Sequence, residues 1–197
     1  MIPIKQQSGF ALLITILVLS VIVAVTLAIV ELSLKQLKLS VDSTDSEIAF
    51  HAANAGLECA RYTRRKESDN FEAGTNVMFD CFGSSATVLK QATLGGIVTN
   101  PNPAPVYRYK RDIDWGTAPN QRCTSMDIIS IVADSEITIG GPLGQSLKIF
   151  ITGYDEADTK TCKAGERCTI MSVIGYSSAC NATSSPGVLK REILLEL

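Results

Sequence analysis

The sequence predicts an α+β protein in which one long N-terminal helix packs on an antiparallel β-sheet domain. Three observations support this fold class. Residues 10–30 form an uncharged apolar run. Apolar residues then recur at steps of three or four from Leu34 to Tyr62, apart from one step that only Thr44 or Asp45 fills, so one face is mostly apolar at the period of a helix. After Lys66, short segments rich in β-branched and aromatic residues alternate with turn residues, as in a domain of strands.

The apolar run is long enough to cross a bilayer as a helix, which takes about 20 residues. The segment before the run carries Lys5, and Glu31 follows it. By the positive-inside rule, the N-terminus then stays in the cytoplasm and the chain after Val30 is exported. We therefore expect a single-pass protein of the cytoplasmic (inner) membrane.

The membrane helix is expected to continue beyond the bilayer. Neither glycine nor proline interrupts the chain between Phe10 and Ala55, which predicts one helix from Phe10 to about Arg65. Gly56 lies in an alanine-rich stretch and indicates a close contact with a sheet, because small residues let another backbone approach. The apolar face of the second half of the helix comprises Leu34, Leu37, Val41, Ile48, Ala52, Ala55, Cys59 and Tyr62.

The chain accordingly divides into a leader (1–9), a transmembrane half-helix (10–30), an amphipathic half-helix (31–66) and a β-rich domain (67–197). Two segments read as linkers. Residues 100–105 contain three prolines and cannot lie inside a sheet, and residues 140–144 read as a glycine-rich turn between two strands. The last two strands are expected to form a hairpin. Strands are predicted at residues 77–81, 86–91, 106–111, 127–134, 136–139, 147–154, 169–176 and 189–197.

All six cysteines lie on the side that is expected to be exported. An even number of cysteines in an oxidising compartment indicates up to three disulfides. Many pairings are possible. We favour a small loop closed by Cys162 and Cys168, with Cys59–Cys81 and Cys123–Cys180 as the other pairs. Zinc binding is disfavoured, because no Cys-x-x-Cys pair is present.

Two stretches of the helix resemble the type IV pilin superfamily. The first is Ser8-Gly9-Phe10, placed directly before the apolar run, and the second is the stretch from Ala49 to Glu58. The second stretch is similar to the corresponding part of minor pilins of the PilX type. The resemblance covers about the first 60 residues and is architectural beyond them.

The resemblance implies a specific maturation and assembly route. Gly9 would precede the cut made by a prepilin peptidase, and Phe10 would become an N-methylated N-terminus. The helix would lie in membrane lipid before assembly, would be extracted at an inner-membrane assembly platform, and would then pack against other pilin subunits. The implied fold is the pilin fold. The implied function is non-catalytic and needs no cofactor or metal: display in an extracellular filament that serves adhesion, motility or uptake.

One difference from the family bears on whether the chain is a major or a minor subunit. Major pilins usually place a glutamate at the fifth mature position, which is Ile14 here. A carboxylate among apolar helices requires a partner, and in pilins that partner is thought to be the amino terminus of a neighbour. Its absence favours a minor subunit over the repeated major one.

Two alternative functions stay open. A pseudopilin of a secretion apparatus would have the same design. A nucleic-acid-binding competence pilin is the second alternative, because cations and tyrosines suit phosphates and bases. In a strand, however, Tyr107 and Tyr109 would face away from Arg108 and Lys110. The candidate nucleic-acid patch comprises Arg61, Arg64, Arg65 and Lys66 at the helix end with Arg108, Lys110 and Arg111.

An enzyme is not expected from this sequence. His51 is the only histidine and lies in the predicted helix, so the common hydrolase arrangements have no candidate base. The acidic residues Asp155, Glu156 and Asp158 read as a solvated loop, with a calcium loop as the alternative.

Overall fold

The structure is a computed structural model that describes residues 8–93, 106–118, 120–141 and 147–197. The chain divides between Thr44 and Asp45 into two compact units. The described residues of the N-terminal unit are helical. The C-terminal unit contains the remainder of that helix and an antiparallel sheet. The α+β layout expected from the sequence is therefore observed.

Helix α1 spans Ser8–Lys66, 59 residues without interruption. It confirms the single long helix predicted from the absence of glycine and proline before Ala55. Its last turn carries Arg64, Arg65 and Lys66, whose positive charges are favourable at the negative end of the helix dipole.

The C-terminal unit adds a short helix and, within the described residues, nine strands. Helix α2 spans Ser68–Ala73 and is capped by Gly74 in the left-handed conformation, with φ of 63°. Two 3-10 helices lie at Leu147–Ile149 and Cys180–Ala182. The strands are β1 (Val77–Cys81), β2 (Ser84–Val88), β3 (Ala92–Thr93), β4 (Val106–Trp115), β5 (Arg122–Val132), β6 (Ile137–Gly140), β7 (Thr159–Cys162), β8 (Arg167–Tyr176) and β9 (Lys190–Glu196).

These strands form three antiparallel sheets. The main sheet has five strands in the order β3-β4-β5-β8-β9, and β1-β2 and β6-β7 are separate pairs. Strands β8 and β9 are direct neighbours, which confirms the predicted hairpin at the end of the chain. The main sheet has its longest pairings in the middle, where β5 pairs along its length with both β4 and β8.

The C-terminal unit has an apolar core on each face of the main sheet. The first core joins the sheet to the end of α1, to α2 and to the β1-β2 pair, and the second joins it to the β6-β7 pair and the first 3-10 helix. Large buried residues of the first core are Phe71, Phe79, Tyr109, Ile113, Met126, Ile128 and Met171. Those of the second core are Ile129, Ile131, Ile137, Ile139, Leu147, Ile151 and Ile170.

Helix α1 and the sheet approach each other closely at two glycines. A Cβ on Gly175 of β8 would lie 2.1 Å from the carbonyl oxygen of Ala49 and 2.3 Å from the backbone nitrogen of Ala53. A Cβ on Gly56 would lie 2.1 Å from the Cγ2 of Thr124. The close helix–sheet contact predicted from Gly56 is thus confirmed, and Gly175 supplies its counterpart on the sheet.

The strand predicted at residues 147–154 is wrong. The chain there forms the 3-10 helix and turns, with backbone hydrogen bonds from Phe150 and Ile151 to the carbonyl of Leu147. The buried residues are Leu147, Ile151 and Tyr154, spaced by four and three. That spacing is the period of helical turns and not the alternation of a strand. Gly140 ends β6, and the next described element is this 3-10 helix and not a strand; residues 142–146 lie outside the described residues.

Other differences concern short elements and strand ends. Helix α2 is not predicted; it forms in a polar segment, where one apolar residue, Phe71, is buried in the first core. Strands β3 and β7 are not predicted, and β2 ends at Val88 instead of at residue 91. Strand β5 begins five residues earlier than predicted, at Arg122 instead of 127. The proline-rich linker at 100–105 lies outside the described residues.

Three disulfides tie these elements together. They join Cys59 to Cys81, Cys123 to Cys180 and Cys162 to Cys168, the pairs favoured in the sequence analysis. The first links α1 to β1, and the second links β5 to the loop between β8 and β9. The third closes the turn between β7 and β8.

Candidate functional site

An apolar surface runs along the N-terminal unit. Every side chain from Phe10 to Thr44 is exposed, and the first 21 of these positions, residues 10–30, carry no charge. We call residues 10–30 of α1 the apolar helix surface. Its exposed large side chains are Phe10, Leu12, Leu13, Ile14, Ile16, Leu17, Val18, Leu19, Val21, Ile22, Val23, Val25, Leu27, Ile29 and Val30.

The hydroxyl groups on this surface are satisfied inside the helix. The Thr15 hydroxyl donates to the carbonyl of Leu12 at 2.8 Å, and the Ser20 hydroxyl donates to the carbonyl of Leu17 at 2.7 Å. The Thr26 hydroxyl bonds to the preceding turn in the same way. Backbone and side-chain polar groups therefore need no water, which is the condition for lying in lipid or among other helices.

Helix α1 is the one helix in the described part of the chain with the length and composition of a membrane span. Hydrophobic side chains of this size are normally buried in a soluble protein. An exposed apolar surface this large marks a membrane or protein contact. The chemistry of this surface is burial in an apolar environment.

The expected cleavage site lies at the beginning of the same helix. Helix α1 begins at Ser8, so Gly9 and Phe10 are in its first turn. The Phe10 side chain is 74 % exposed. Ile14 lies one turn further on as part of the apolar surface. The rest of the expected leader, residues 1–7, lies outside the described residues.

The four cations at the end of α1 do not share one surface. Arg64 is buried, while Arg65 and Lys66 are exposed. Arg61 pairs with Glu58 at 3.0 Å, one turn away on the same helix. Lys66 lies 3.9 Å from the carboxylate of Asp80 on β1. Of the four, Arg65 alone has neither an ion pair nor a hydrogen bond to another described side chain.

Arg64 makes its contacts in the interior of the protein. Its Nε donates to the hydroxyl of Thr169 at 3.0 Å, and its guanidinium lies over the ring of Phe71. The Glu72 carboxylate lies between two arginines, 3.6 Å from Arg64 and 3.2 Å from Arg167. Burial lowers the pKa of Arg64, and the neighbouring Glu72 opposes this shift. The charge of Arg64 is therefore compensated within the fold.

The second cationic cluster, on β4, is divided between the two faces of the sheet. Arg108 forms a two-pronged ion pair with Asp127 of β5, and this hydrogen bonding raises the pKa of Arg108. Tyr109 points the other way and is fully buried in the first core. Lys110 is exposed on the Arg108 face, and Arg111 is half-buried on the Tyr109 face. The alternation predicted from strand geometry is observed.

These placements argue against a continuous nucleic-acid patch. Arg64 and Arg108 already have carboxylate partners, and Tyr109 offers no ring to stack on a base. Sequence reasoning missed Glu72 and Asp127, the partners of the two arginines. The local sequence holds no signal for Asp127, because it meets Arg108 only through the register of β4 with β5.

The remaining candidates show no assembled catalytic or metal site among the described residues. His51 is exposed and lies 3.7 Å from Glu47 on the same helix. The carboxylates of Asp155, Glu156 and Asp158 do not converge on one point, and that of Asp158 accepts a hydrogen bond from the backbone of Asp155. The two convergent groups of possible ligands are Asp114-Cys123-Cys180 and Cys162-Glu166-Cys168, and in both the cysteines are joined as a disulfide.

Comparisons with models of protein families, with curated proteins and with solved structures find no match.

Proposed function

We propose that this protein is a minor subunit of a type IV pilin-like filament, with the apolar helix surface as its assembly element. One observation carries the proposal: helix α1 is exposed and uncharged over residues 10–30, yet continues without interruption into a compact unit with its own cores. A plain membrane anchor needs no such continuity. A subunit whose helix leaves the lipid and packs into a helix bundle does need a continuous helix.

The energetics favour this use of the helix. Each buried CH₂ contributes about 0.8 kcal/mol, so moving some 20 apolar residues from lipid into water is prohibitive. Moving them from lipid into a bundle of similar helices exchanges one apolar environment for another. Assembly through this surface is therefore consistent with extraction from the membrane.

The C-terminal unit suits display outside the cell. Three disulfides hold it, and disulfides persist in oxidising compartments. In this role the unit has no catalytic step and no cofactor. Ile14 supports a minor position, because the subunit lacks the carboxylate that would pair with the amino terminus of a neighbour.

Mass spectrometry of the N-terminal peptide from membrane and sheared-filament fractions tests the proposal. We expect the mature chain to begin at Phe10 with one added methyl group. Gly9→Val should block the cut, because the leaders of the family that this chain resembles end in glycine, whereas Ser8→Ala should be processed normally. Recovery of the chain with residues 1–9 attached in filaments, or of a chain cut beyond residue 30, contradicts the proposal.

A further inference from the structure

The main sheet has an incomplete edge at β4. Strand β4 has ten residues, but its neighbour β3 has two and pairs only with Tyr107 and Arg108. The backbone of Gln91 adds one more bond, to the carbonyl of Arg108. The edge of β4 therefore has no strand partner from Tyr109 to Trp115 among the described residues.

Strand geometry shows which backbone groups face this edge. In an antiparallel sheet, the N–H and C=O of one residue point to the same side, and the side alternates along the strand. Because those of Arg108 point toward β3, those of Lys110 and Asp112 also point away from β5. The main-chain N–H and C=O groups of these two residues thus point toward the side of β4 that has no strand partner among the described residues.

A groove of about 580 Å³ lies along this edge. The end of β2 and the chain that follows it, residues 87–91, form one wall, and Lys110, Arg111 and Asp112 form the other. Strand β2 is nearby, since the Arg111 guanidinium reaches the hydroxyl of Ser84 at 3.4 Å. The groove continues the line of β3 between β2 and β4.

The groove is positively charged. Lys90, Lys110 and Arg111 line it, against the single carboxylate of Asp112, which already accepts a hydrogen bond from Ser125. Lys110 makes no ion pair or hydrogen bond to another described residue. The Nε of Arg111 is buried and has no hydrogen-bond acceptor among the described residues. A buried donor without a partner is costly, so the site lacks an acceptor that a bound group would supply.

We propose that this groove binds an extended peptide segment carrying carboxylates, which adds as a strand to the free edge of β4. The main chain of the peptide pairs with Lys110 and Asp112. Its acidic side chains share one face of the added strand and meet Lys110, while Lys90 and Arg111 add positive charge to the walls of the groove. This mode is strand addition, in which backbone bonds provide affinity and flanking side chains provide specificity. The proposal does not depend on the filament role of the helix.

A peptide fits this groove better than a nucleic acid does. The free edge of β4 presents both N–H donors and C=O acceptors, and another peptide backbone pairs with both, whereas phosphates are acceptors alone and leave the carbonyls without donors. The neighbouring Arg108, which a nucleic acid would need, is already paired with Asp127. Tyr107, the aromatic ring beside the groove, is covered by Lys90.

Fluorescence anisotropy on the full chain in detergent micelles tests the proposal. The probe is a fluorescein-labelled peptide of alternating valine and glutamate, about eight residues long, which matches a typical strand. Three further labelled probes are a valine–lysine peptide, the valine–glutamate peptide with alternate amides N-methylated, and a single-stranded oligonucleotide. We expect saturable binding of the first probe and none of the others.

Two variants, each with a control variant, separate the contribution of charge from that of backbone pairing. Lys110→Glu should weaken binding at least about tenfold, whereas Lys190→Glu, an exposed lysine on the opposite edge strand, should leave it unchanged. Asp112→Pro removes one N–H that faces the groove without touching the β4-β5 bonds, and should abolish binding. Asp112→Ala keeps that N–H and should bind at least as tightly as the natural chain.

Several results would overturn the proposal. The first is that the acidic peptide does not bind. The second is that the N-methylated peptide binds as tightly as the unmodified one. The third is that Lys110→Glu and Lys190→Glu lower the affinity for the acidic peptide equally. Oligonucleotide binding that Lys110→Glu weakens and Asp112→Pro does not would instead assign the groove to nucleic acid. If Asp112→Pro fails to fold, the N-methylated peptide and Lys110→Glu decide the outcome.

Discussion

The hydroxyl of Thr124 donates a hydrogen bond of 2.8 Å to the backbone carbonyl of Ala52, in the C-terminal part of helix α1. The same hydroxyl accepts a bond from the indole of Trp115 at 3.1 Å. Both Thr124 and Ala52 are fully buried. One side chain of β5 thus connects the helix to the chain's only tryptophan.

Thr124→Val, which keeps the shape and removes the hydroxyl, should lower the free energy of unfolding by about 1–3 kcal/mol. The reason is that the part-buried indole N–H of Trp115 loses its acceptor. Denaturant unfolding followed by tryptophan fluorescence measures this change. Thr87→Val, at an exposed position of β2, is the control and should change stability by less than about 0.5 kcal/mol. Equal effects of the two substitutions would contradict the assigned role.

Gly175→Ala should be strongly destabilising, by about 1–3 kcal/mol or more, because the added Cβ meets backbone atoms of α1 that cannot move independently. Thermal unfolding followed by circular dichroism checks this. Gly153→Ala is the matched control, since its Cβ would find only Leu194 at an ordinary 3.5 Å. A Gly175→Ala protein as stable as Gly153→Ala would show that helix and sheet are not in such close contact.

Arg64→Met should cost about 1–3 kcal/mol, because it removes the bond to Thr169 and leaves Glu72 with the exposed Arg167 alone. Arg61→Met removes an ion pair at the surface and should cost at most about 0.5 kcal/mol. Chemical denaturation of both variants gives the comparison. If Arg61→Met proves the more harmful, the placement of Arg64 in the interior is wrong.

Glu196 should make stability depend on pH at the acid end. Hydrogen bonds from Lys160, and then from Tyr154, lower the pKa of this carboxyl below its ordinary value. Its contribution is therefore complete above that ordinary pKa and is lost as the pH falls through the lowered value. Glu196→Gln should flatten the acid limb of a stability–pH curve, measured by urea unfolding. A Glu196→Gln protein whose acid limb is as steep as that of the natural chain would argue against the assignment.

Much of the architecture was predictable because it depends on local patterns. The absence of helix breakers sets α1, and alternating apolar residues set β1 and the β8-β9 hairpin. The strand prediction for residues 147–154 was wrong because a short apolar run fits a strand and a helical turn equally well until its buried side is known. Strand β7 failed for a different reason, since Thr159–Cys162 has little apolar character and is a strand only because β6 pairs with it.

The sequence by itself determined the apolar helix, its continuation toward the β-rich part of the chain and the even number of cysteines. Each of these depends only on composition and spacing along the chain. Only the tertiary structure decided what the cations do. The sequence does not distinguish Arg64 and Arg108 from the neighbouring cations Arg65 and Lys110. Helix packing and strand register place carboxylates beside Arg64 and Arg108. The same register left the edge of β4 open beside Lys110. Pairing across the sheet joins residues distant in the chain, and such pairs have no local signature.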